Sequence, residues 1–146
     1  MKQISGIWFE VKVRHEQTQE DGMNKMVTET YVYKAADFGE AHDKAIKNMS
    51  TFISGEFGIT AMKIAQYIEV VMQDVRTEEK YYRVKVIFIT LDEKTNKEKK
   101  TACHYLVNAD SVEKARKYAD TILSDSMVDF VIEAVQEAKI CDICLD

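Results

Sequence analysis

The chain has 146 residues, of which 46% are hydrophobic and 31% are charged, and its formal net charge is −5. This length and balance are typical of one globular domain with a hydrophobic core. The acidic charge argues against a protein that binds nucleic acid through its overall charge, because such proteins are strongly basic. No stretch approaches the roughly 18 consecutive apolar residues of a membrane-spanning helix, so we expect no membrane partner.

The N-terminus and the cysteines indicate a reducing compartment. The first residues, "MKQISGIWFEVKV", alternate in polarity instead of forming the apolar block of a signal peptide. The cysteines, Cys103, Cys141 and Cys144, are too few and too irregularly spaced for a disulfide framework. We therefore expect a cytoplasmic protein.

A repeat organises the chain. The stretch "WFEVKVRHE" from Trp8 resembles "YYRVKVIFI" from Tyr81, which begins 73 positions later. Further on, "TYVYKAADFGEAHDKA" resembles "HYLVNADSVEKARKYA", and "EFGITA" resembles "DFVIEA". A self-match of this length predicts the duplication of one supersecondary unit. We expect a single duplicated domain with repeat one at about 6–72, a charged linker at 73–80 and repeat two at about 81–144.

Each repeat begins with a predicted β-hairpin. Apolar and polar residues alternate over 7–14, and a matching strand is predicted at 81–90. The loops that follow contain the turn-forming pairs Asp-Gly and Thr-Asn. The returning strands are predicted at 27–34 and 101–108, because both segments are rich in Val, Thr and Tyr.

A helix and a last strand complete each repeat. Asp37 with Glu40, and Asp110 with Glu113, predict the N-terminal caps of the two helices. Apolar residues then recur at helical spacing; they are Phe38, Ala41, Ala45, Met49 and Phe52 in repeat one, and Val112, Ala115, Ala119, Ile122 and Leu123 in repeat two. The last strands are predicted at 60–72 and 131–144, although "IEAVQEAKI" is also compatible with a helix. The predicted fold class is α+β, with two β-β-α-β units, a mostly antiparallel sheet and one helix per unit.

Three segments carry a resemblance to a known family. "WFEVKVRHEQT", "ISGEFGIT" and "VKVIFITLDEKTNKEKKTACHYLVNADS" resemble an uncharacterised family of small proteins, a domain of unknown function, from gut Bacteroidetes and their mobile elements. The resemblance covers nearly the whole chain. It implies a duplicated α+β fold and a bacterial cytoplasmic setting, as cargo of a phage or a conjugative element. It supplies no catalytic or binding residue.

The sequence offers little material for catalysis. Cys141 and Cys144 form a C-x-x-C pair, with Cys103 and His104 as nominal further zinc ligands. Adjacent residues of a strand point to opposite faces, so Cys103 and His104 neither reach one ion nor act as nucleophile and base. We interpret the thiols as buried or incidental and keep Cys141 and Cys144 only as weak metal candidates. Motifs for phosphate binding or a nucleophilic serine are absent from the sequence, so we expect no enzyme and no cofactor.

The outer face of the first strands is the candidate binding surface. If Phe9, Val11 and Val13 point inward, their neighbours point outward, and in both repeats an aromatic ring then lies beside basic residues. The candidate binding residues are Trp8, Lys12 and Arg14, then Tyr81, Arg83 and Lys85, and finally Lys97, Lys99 and Lys100 of the second hairpin.

Two functions suit this surface, beside the simpler interpretation of a wet sheet face with alternating charges. We predict a non-catalytic interaction module that binds a protein partner or associates with itself, since Trp, Tyr and Arg anchor interfaces. The alternative is a single-stranded nucleic-acid-binding accessory of a phage or mobile element, because bases stack on aromatic rings while Lys and Arg contact phosphates.

Overall fold

A computed structural model of the chain describes residues 1–74 and 78–145. The strands are β1 (Lys2–Ser5), β2 (Trp8–Thr18), β3 (Asn24–Lys34), β4 (Phe57–Ala65), β5 (Tyr67–Met72), β6 (Lys80–Asp92), β7 (Lys97–Ala109), β8 (Asp129–Ala138) and β9 (Asp142–Cys144). The helices are α1 (Phe38–Phe52) and α2 (Val112–Leu123), and neither of them is long and apolar enough to cross a membrane. The protein is therefore α+β, as predicted, and β2-β3-α1-β4 and β6-β7-α2-β8 repeat one order of elements. Of the predicted linker at 73–80, residues 75–77 lie outside the described residues.

The chain divides into two compact units. The repeat-one unit contains Gly6–Gln66 and the segment that begins at Ile140, and its strand order is β4-β2-β3-β9. The repeat-two unit contains Met1–Ser5 and Tyr67–Lys139, and its strand order is β1-β5-β7-β6-β8. In both sheets the predicted hairpin occupies the middle, and β4 and β8 hold equivalent edges.

The two repeats exchange their last strands. β5 is the last strand of repeat one, yet it pairs in parallel with β7 of repeat two, where Val70 lies opposite Leu106. β9 is the last strand of repeat two, yet it pairs in parallel with β3 of repeat one, where Ile143 lies opposite Val32. All four side chains are buried. Each sheet is therefore completed by a strand from the other repeat.

This exchange corrects the predicted last strands. The single strands predicted at 60–72 and 131–144 are each two strands, β4 with β5 and β8 with β9. The breaks fall at Gln66 and at 139–141, where the chain passes from one unit to the other. Strand-like composition continues across both breaks, so periodicity alone does not reveal them. The segment "IEAVQEAKI" is largely strand β8, which removes the helical alternative.

One strand lies outside the predicted repeats. β1 pairs antiparallel with β5, from Lys2 opposite Met72 to Ser5 opposite Glu69. It extends the repeat-two sheet to five strands, whereas the repeat-one sheet has four.

Each core lies between one sheet face and one helix. The core of the repeat-one unit includes Phe9, Val11, Val13, Tyr33, Ala41, Ala45 and Met49, and that of the repeat-two unit includes Val84, Val86, Tyr105, Val107, Ala115, Ala119 and Leu123. The predicted inward faces of the first strands are thus confirmed. Phe38, Phe52 and Val112 of the predicted stripes, each at the first or last position of its helix, are exposed instead, although the Phe38 ring packs edge to face on Phe9 with the centroids 5.0 Å apart.

The helix caps differ between the repeats. Asp37 caps α1 as predicted, since its Oδ1 accepts a hydrogen bond from the Glu40 backbone N–H at 2.8 Å. In α2 the cap is Ser111, not the predicted Asp110, because the Ser111 hydroxyl accepts from the Lys114 N–H at 3.2 Å. Asp110 is used elsewhere: its Oδ1 accepts a hydrogen bond from the Glu79 backbone N–H at 3.3 Å, and its Oδ2 lies 3.5 Å from Lys114 Nζ.

Each sheet has a β-bulge at the equivalent place on one of its edge strands, β4 or β8. In β4 the extra residue is Thr60, opposite Lys12 and Val13, and in β8 it is Glu133, opposite Lys85 and Val86. Bulges on edge strands disturb the ladder and discourage pairing with another chain. The sheet faces are therefore better candidates for binding than these two edges.

Candidate functional site

The two predicted stacking rings are buried. Trp8 is 0% exposed and Tyr81 is 4% exposed. Their neighbours Phe9 and Tyr82, which point to the opposite face, are also buried, so both faces are covered where β2 and β6 begin. The prediction that these rings are exposed is wrong, because alternation along a strand fixes the direction of a side chain but not what covers that face.

The basic residues beside the rings have different surroundings in the two repeats. Lys12 and Arg14 are exposed, as expected. Arg83 is half-buried: its Nη2 donates to the Tyr67 hydroxyl at 3.1 Å, and its guanidinium carbon lies 5.7 Å from the centroid of that ring. Lys85 Nζ lies 3.4 Å from Glu133 Oε2. Arg83 and Lys85 are thus engaged within the repeat-two unit.

The hairpin lysines do not share one surface. Lys97, Lys99 and Lys100 are all exposed near the end of the β6–β7 hairpin. By strand alternation, Lys97 and Lys99 lie on the side of the sheet that carries α2, and Lys100 lies on the opposite side. These lysines therefore do not form one continuous basic surface along which a nucleic-acid backbone could lie.

The cysteines occupy separate environments. Cys103 packs against the core of the repeat-two unit, and Cys144 packs against the core of the repeat-one unit. Cys141 is exposed, and its thiol donates to Glu29 Oε2 at 3.2 Å. Within residues 1–74 and 78–145, no three His, Cys, Asp or Glu side chains are grouped so as to hold a metal ion.

A polar cluster anchors the C-terminal strand of the repeat-one unit. His15 Nε2 is hydrogen-bonded to one carboxylate oxygen of Glu29, and the Cys141 thiol to the other. The Cys141 backbone N–H also donates to the Thr30 carbonyl at 2.8 Å, directly before β9. This cluster therefore ties the segment that leads into β9 to β2 and β3.

The electrostatics of this cluster favour an ion pair over a reactive thiol. The hydrogen bond to Glu29 raises the pKa of His15. Burial acts to raise the pKa of Glu29, but the hydrogen bonds from His15 and Cys141 outweigh it and the pKa is lowered. Although the residue as a whole is exposed, its thiol is partly shielded from water, and this desolvation, together with the Glu29 carboxylate, raises the pKa of Cys141 to about 11. A thiol with this pKa is protonated at neutral pH and is a poor nucleophile.

An apolar patch covers part of the repeat-two sheet, on the face turned away from α2. We call the side chains of Ile87, Ile89, Leu91, Ala102 and Val131 the outer patch. Val86 and Phe88 pack into the core beneath α2, so the intervening Ile87 and the following Ile89 point to the opposite face. Leu91 is 59% and Val131 is 52% exposed, and Ala102 is also exposed. Ile87 and Ile89 are half-buried on the central strand.

The strand register arranges the outer patch in rows across β8, β6 and β7. One row is Val131, Ile87 and Ala102, and the next is Asp129, Ile89 and Lys100. Farther along the hairpin, Leu91 lies opposite Glu98. The patch thus has a flat apolar centre and charges of both signs at its border.

The same positions in repeat one carry polar residues or glycine. Arg14, Glu16 and Thr18 lie 73 positions before Ile87, Ile89 and Leu91, Gly58 takes the place of Val131, and Thr28 takes the place of Ala102. A cleft of about 480 Å³ borders this polar face, and it is lined by Glu16, Thr18, Asn24, Met26, Ser54, Gly55 and Glu56. The repeat-one sheet is built with these residues, so this architecture does not require apolar side chains at these positions.

The outer patch was not among the residues predicted from the sequence. On the first strand of repeat two, the predicted binding residues end at Lys85, two positions before Ile87. The signal is nevertheless present in the repeat: aligned at a spacing of 73, "RHEQT" from Arg14 faces "IFITL" from Ile87. Every second residue changes from polar to apolar along this stretch.

The fold and this surface define a duplicated α+β protein in which the repeat-two sheet carries the outer patch and the repeat-one sheet has mainly polar residues at the equivalent positions. The chain belongs to the family described as a domain of unknown function, DUF4494, whose family model matches residues 7–146. Neither a curated protein nor a solved structure matches the chain.

Proposed function

We propose that this protein is a non-catalytic interaction module that binds a protein surface through the outer patch. The observation that carries the proposal is the difference between the repeats: Ile87, Ile89 and Leu91 stand where Arg14, Glu16 and Thr18 stand in repeat one. Exposed apolar side chains cost solubility, so a contiguous group of them with a polar border is typical of an interaction site.

The shape of the outer patch favours a protein ligand. Small molecules bind in concave sites that enclose most of their surface, whereas the outer patch is an open sheet face. Anionic membrane surfaces attract clusters of Lys and Arg, whereas the border here contains Asp129 and Glu98 as well as Lys100. A protein surface with both apolar and charged groups fits this combination.

Single-stranded nucleic acid is the weaker candidate. The exposed residues Lys97, Lys99 and Lys100 favour it, because phosphate contacts dominate such binding. The burial of Trp8 and Tyr81 removes the two rings on which bases were expected to stack.

The proposal includes the setting of the protein. We propose that it acts in the cytoplasm of a bacterium, in connection with a phage or another mobile element, as the family resemblance implies. The high pKa of the Cys141 thiol argues against a thiol nucleophile in the cluster with His15 and Glu29.

Site-specific photocrosslinking in cells tests the proposal. A benzophenone amino acid is placed at Leu91 of the outer patch, and, as a matched control, at Thr18, its exposed counterpart in repeat one. We expect a covalent adduct with a protein from position 91, its loss when Ile87→Arg is added, and no equivalent adduct from position 18. Equal adducts from both positions, or none from position 91, would contradict the proposal.

A further inference from the structure

We propose that the outer patch binds a second copy of this chain, with the two sheets packed face to face. The two-fold axis that relates the copies lies midway between the sheets and is parallel to β6; we call it the axis along β6. This inference rests on the proposed function and names the partner. Sheets that pack face to face lie about 10 Å apart with their strands nearly aligned. An axis along β6 keeps each row of one copy against the same row of the other and places the β8 side of one copy over the β7 side of its partner.

The charged row is complementary to itself under this rotation. Asp129 on β8 and Lys100 on β7 flank Ile89, and all three belong to one row. Rotation about β6 places Lys100 of each copy over Asp129 of the other, with Ile89 against Ile89 between them. An axis perpendicular to the strands through this row would bring Asp129 against Asp129 and Lys100 against Lys100, which is unfavourable. The charges of this row therefore favour the axis along β6.

The apolar row is complementary in size. Val131 on β8 and Ala102 on β7 flank Ile87. The same rotation places the larger Val131 of one copy over the smaller Ala102 of the other, at both ends of the row. Large side chains opposite small ones allow two layers to interdigitate without voids or clashes.

Repeat one is unsuited to the same packing. Its equivalent row is Gly58, Arg14 and Thr28. A two-fold axis along β2 would place Arg14 against Arg14, and burying two unpaired like charges is strongly unfavourable. Self-association is thus directed to repeat two alone.

The size of the patch sets the strength of the association. Three strands at a spacing of about 4.8 Å, over five residues of about 3.3 Å each, give about 250 Å² of sheet per copy. Specific protein interfaces bury about 800 Å² per partner. We therefore expect a weak dimer that forms and dissociates with protein concentration.

Sedimentation velocity over a concentration series tests the inference on the full chain. The variants are Ile87→Arg, Lys100→Asp and Asp129→Lys, and the control is Arg14→Ala on the equivalent face of repeat one. We expect the wild type and the control to sediment faster as concentration rises. Ile87→Arg and each single charge reversal remain monomeric, but an equimolar mixture of Lys100→Asp with Asp129→Lys associates again, because both cross-pairs are then opposite in charge.

The outcomes separate this inference from the proposed function. A wild type that stays monomeric up to about 1 mM, or an association that survives Ile87→Arg, overturns the second copy as the ligand. Failure of the mixed reversal variants to associate overturns the two-fold axis along β6. A crosslinked adduct at Leu91 whose mass differs from twice that of the chain also overturns the second copy, yet it leaves the protein-binding proposal standing.

Discussion

Ile87 in repeat two and Arg14 in repeat one hold the same position in their sheets, opposite Val131 and Gly58 on the bulged edge strands. One architecture therefore accommodates a large apolar side chain and a charged one at the same place. The difference between the repeats separates what the fold requires from what a binding surface requires.

The first prediction concerns stability. The double variant Ile87→Arg with Ile89→Glu, which introduces the residues of repeat one, should change the free energy of unfolding by less than about 1 kcal/mol. The long aliphatic stem of Arg can cover part of the neighbouring surface. Leu106→Ala, at a fully buried residue on the neighbouring strand β7, should cost about 2–5 kcal/mol. Urea unfolding of the three proteins measures both effects, and similar losses would place Ile87 and Ile89 in the core.

The second prediction concerns Trp8. Because this ring is fully buried, Trp8→Ala should lower the free energy of unfolding by about 3–5 kcal/mol. Lys12→Ala, four residues along the same strand and exposed, should change it by less than about 0.5 kcal/mol. Chemical denaturation monitored by circular dichroism makes the comparison, because it does not depend on the tryptophan itself. A stable Trp8→Ala variant would show that the ring is on the surface.

The third prediction concerns the cap of α2. Ser111→Ala removes the acceptor of the Lys114 N–H and should cost about 1 kcal/mol, within a range of about 0.5–2. Asp37→Ala should cost a similar amount in α1. Thermal melts of both variants test this equivalence. If Ser111→Ala melts like the wild type, Ser111 does not cap the helix.

The fourth prediction concerns the exchanged strands. Truncation after Lys139 removes β9, so the Val32 amide, which faces β9, should lose protection from hydrogen exchange while the amides of β6 and β7 retain it. Deletion of Met1–Ser5 is the matched control, because it removes β1 and should affect β5 of the repeat-two sheet. Loss of protection in β6 and β7 after the C-terminal truncation is the result incompatible with this pairing.

The fifth prediction concerns pH. The raised pKa of His15 means that its contribution to stability is present below its ordinary value of 6.5 and is lost as pH rises through the raised value. The lowered pKa of Glu29 means that its contribution is present above its ordinary value of 4.5 and is lost as pH falls through the lowered value. The pair should therefore stabilise the fold most between these two values.

The melting temperature of wild type against His15→Gln, recorded across pH, measures this window. The difference between the two proteins should be greatest between pH 4.5 and 6.5 and should shrink on either side. Its size should correspond to about 1 kcal/mol or less, since Glu29 is partly exposed to solvent. A difference that does not vary with pH would remove the ion pair as its cause.

Local sequence patterns predicted most helices and strands of this fold. The features that they did not predict depend on packing between residues far apart in the sequence. Alternation correctly identified Val11 and Val13 as core residues, and Asp37 as a cap, because both depend on neighbours along the chain. The exchange of β5 and β9 depends on pairing with distant strands, so it left no local sign. The burial of Trp8 likewise depends on what covers a sheet face.

The candidate site divides in the same way. Orientation was predictable for Lys12 and Arg14, whereas the engagement of Arg83 by Tyr67 required the tertiary structure. The outer patch was predictable in principle, because the change from Arg14 to Ile87 is visible once the repeats are aligned. Its rows, and hence the pairing of Asp129 with Lys100 across a dimer, require the strand register.

The most direct test of a self-associating outer patch is a dilution series of amide nitrogen–proton NMR spectra of the full chain. The account predicts that resonances of residues 87, 89, 91, 102 and 131 shift with concentration, while those of Arg14, Glu16 and Thr18 on the equivalent face stay fixed. Shifts that are absent over the whole series, or that concentrate on the repeat-one face, would contradict it.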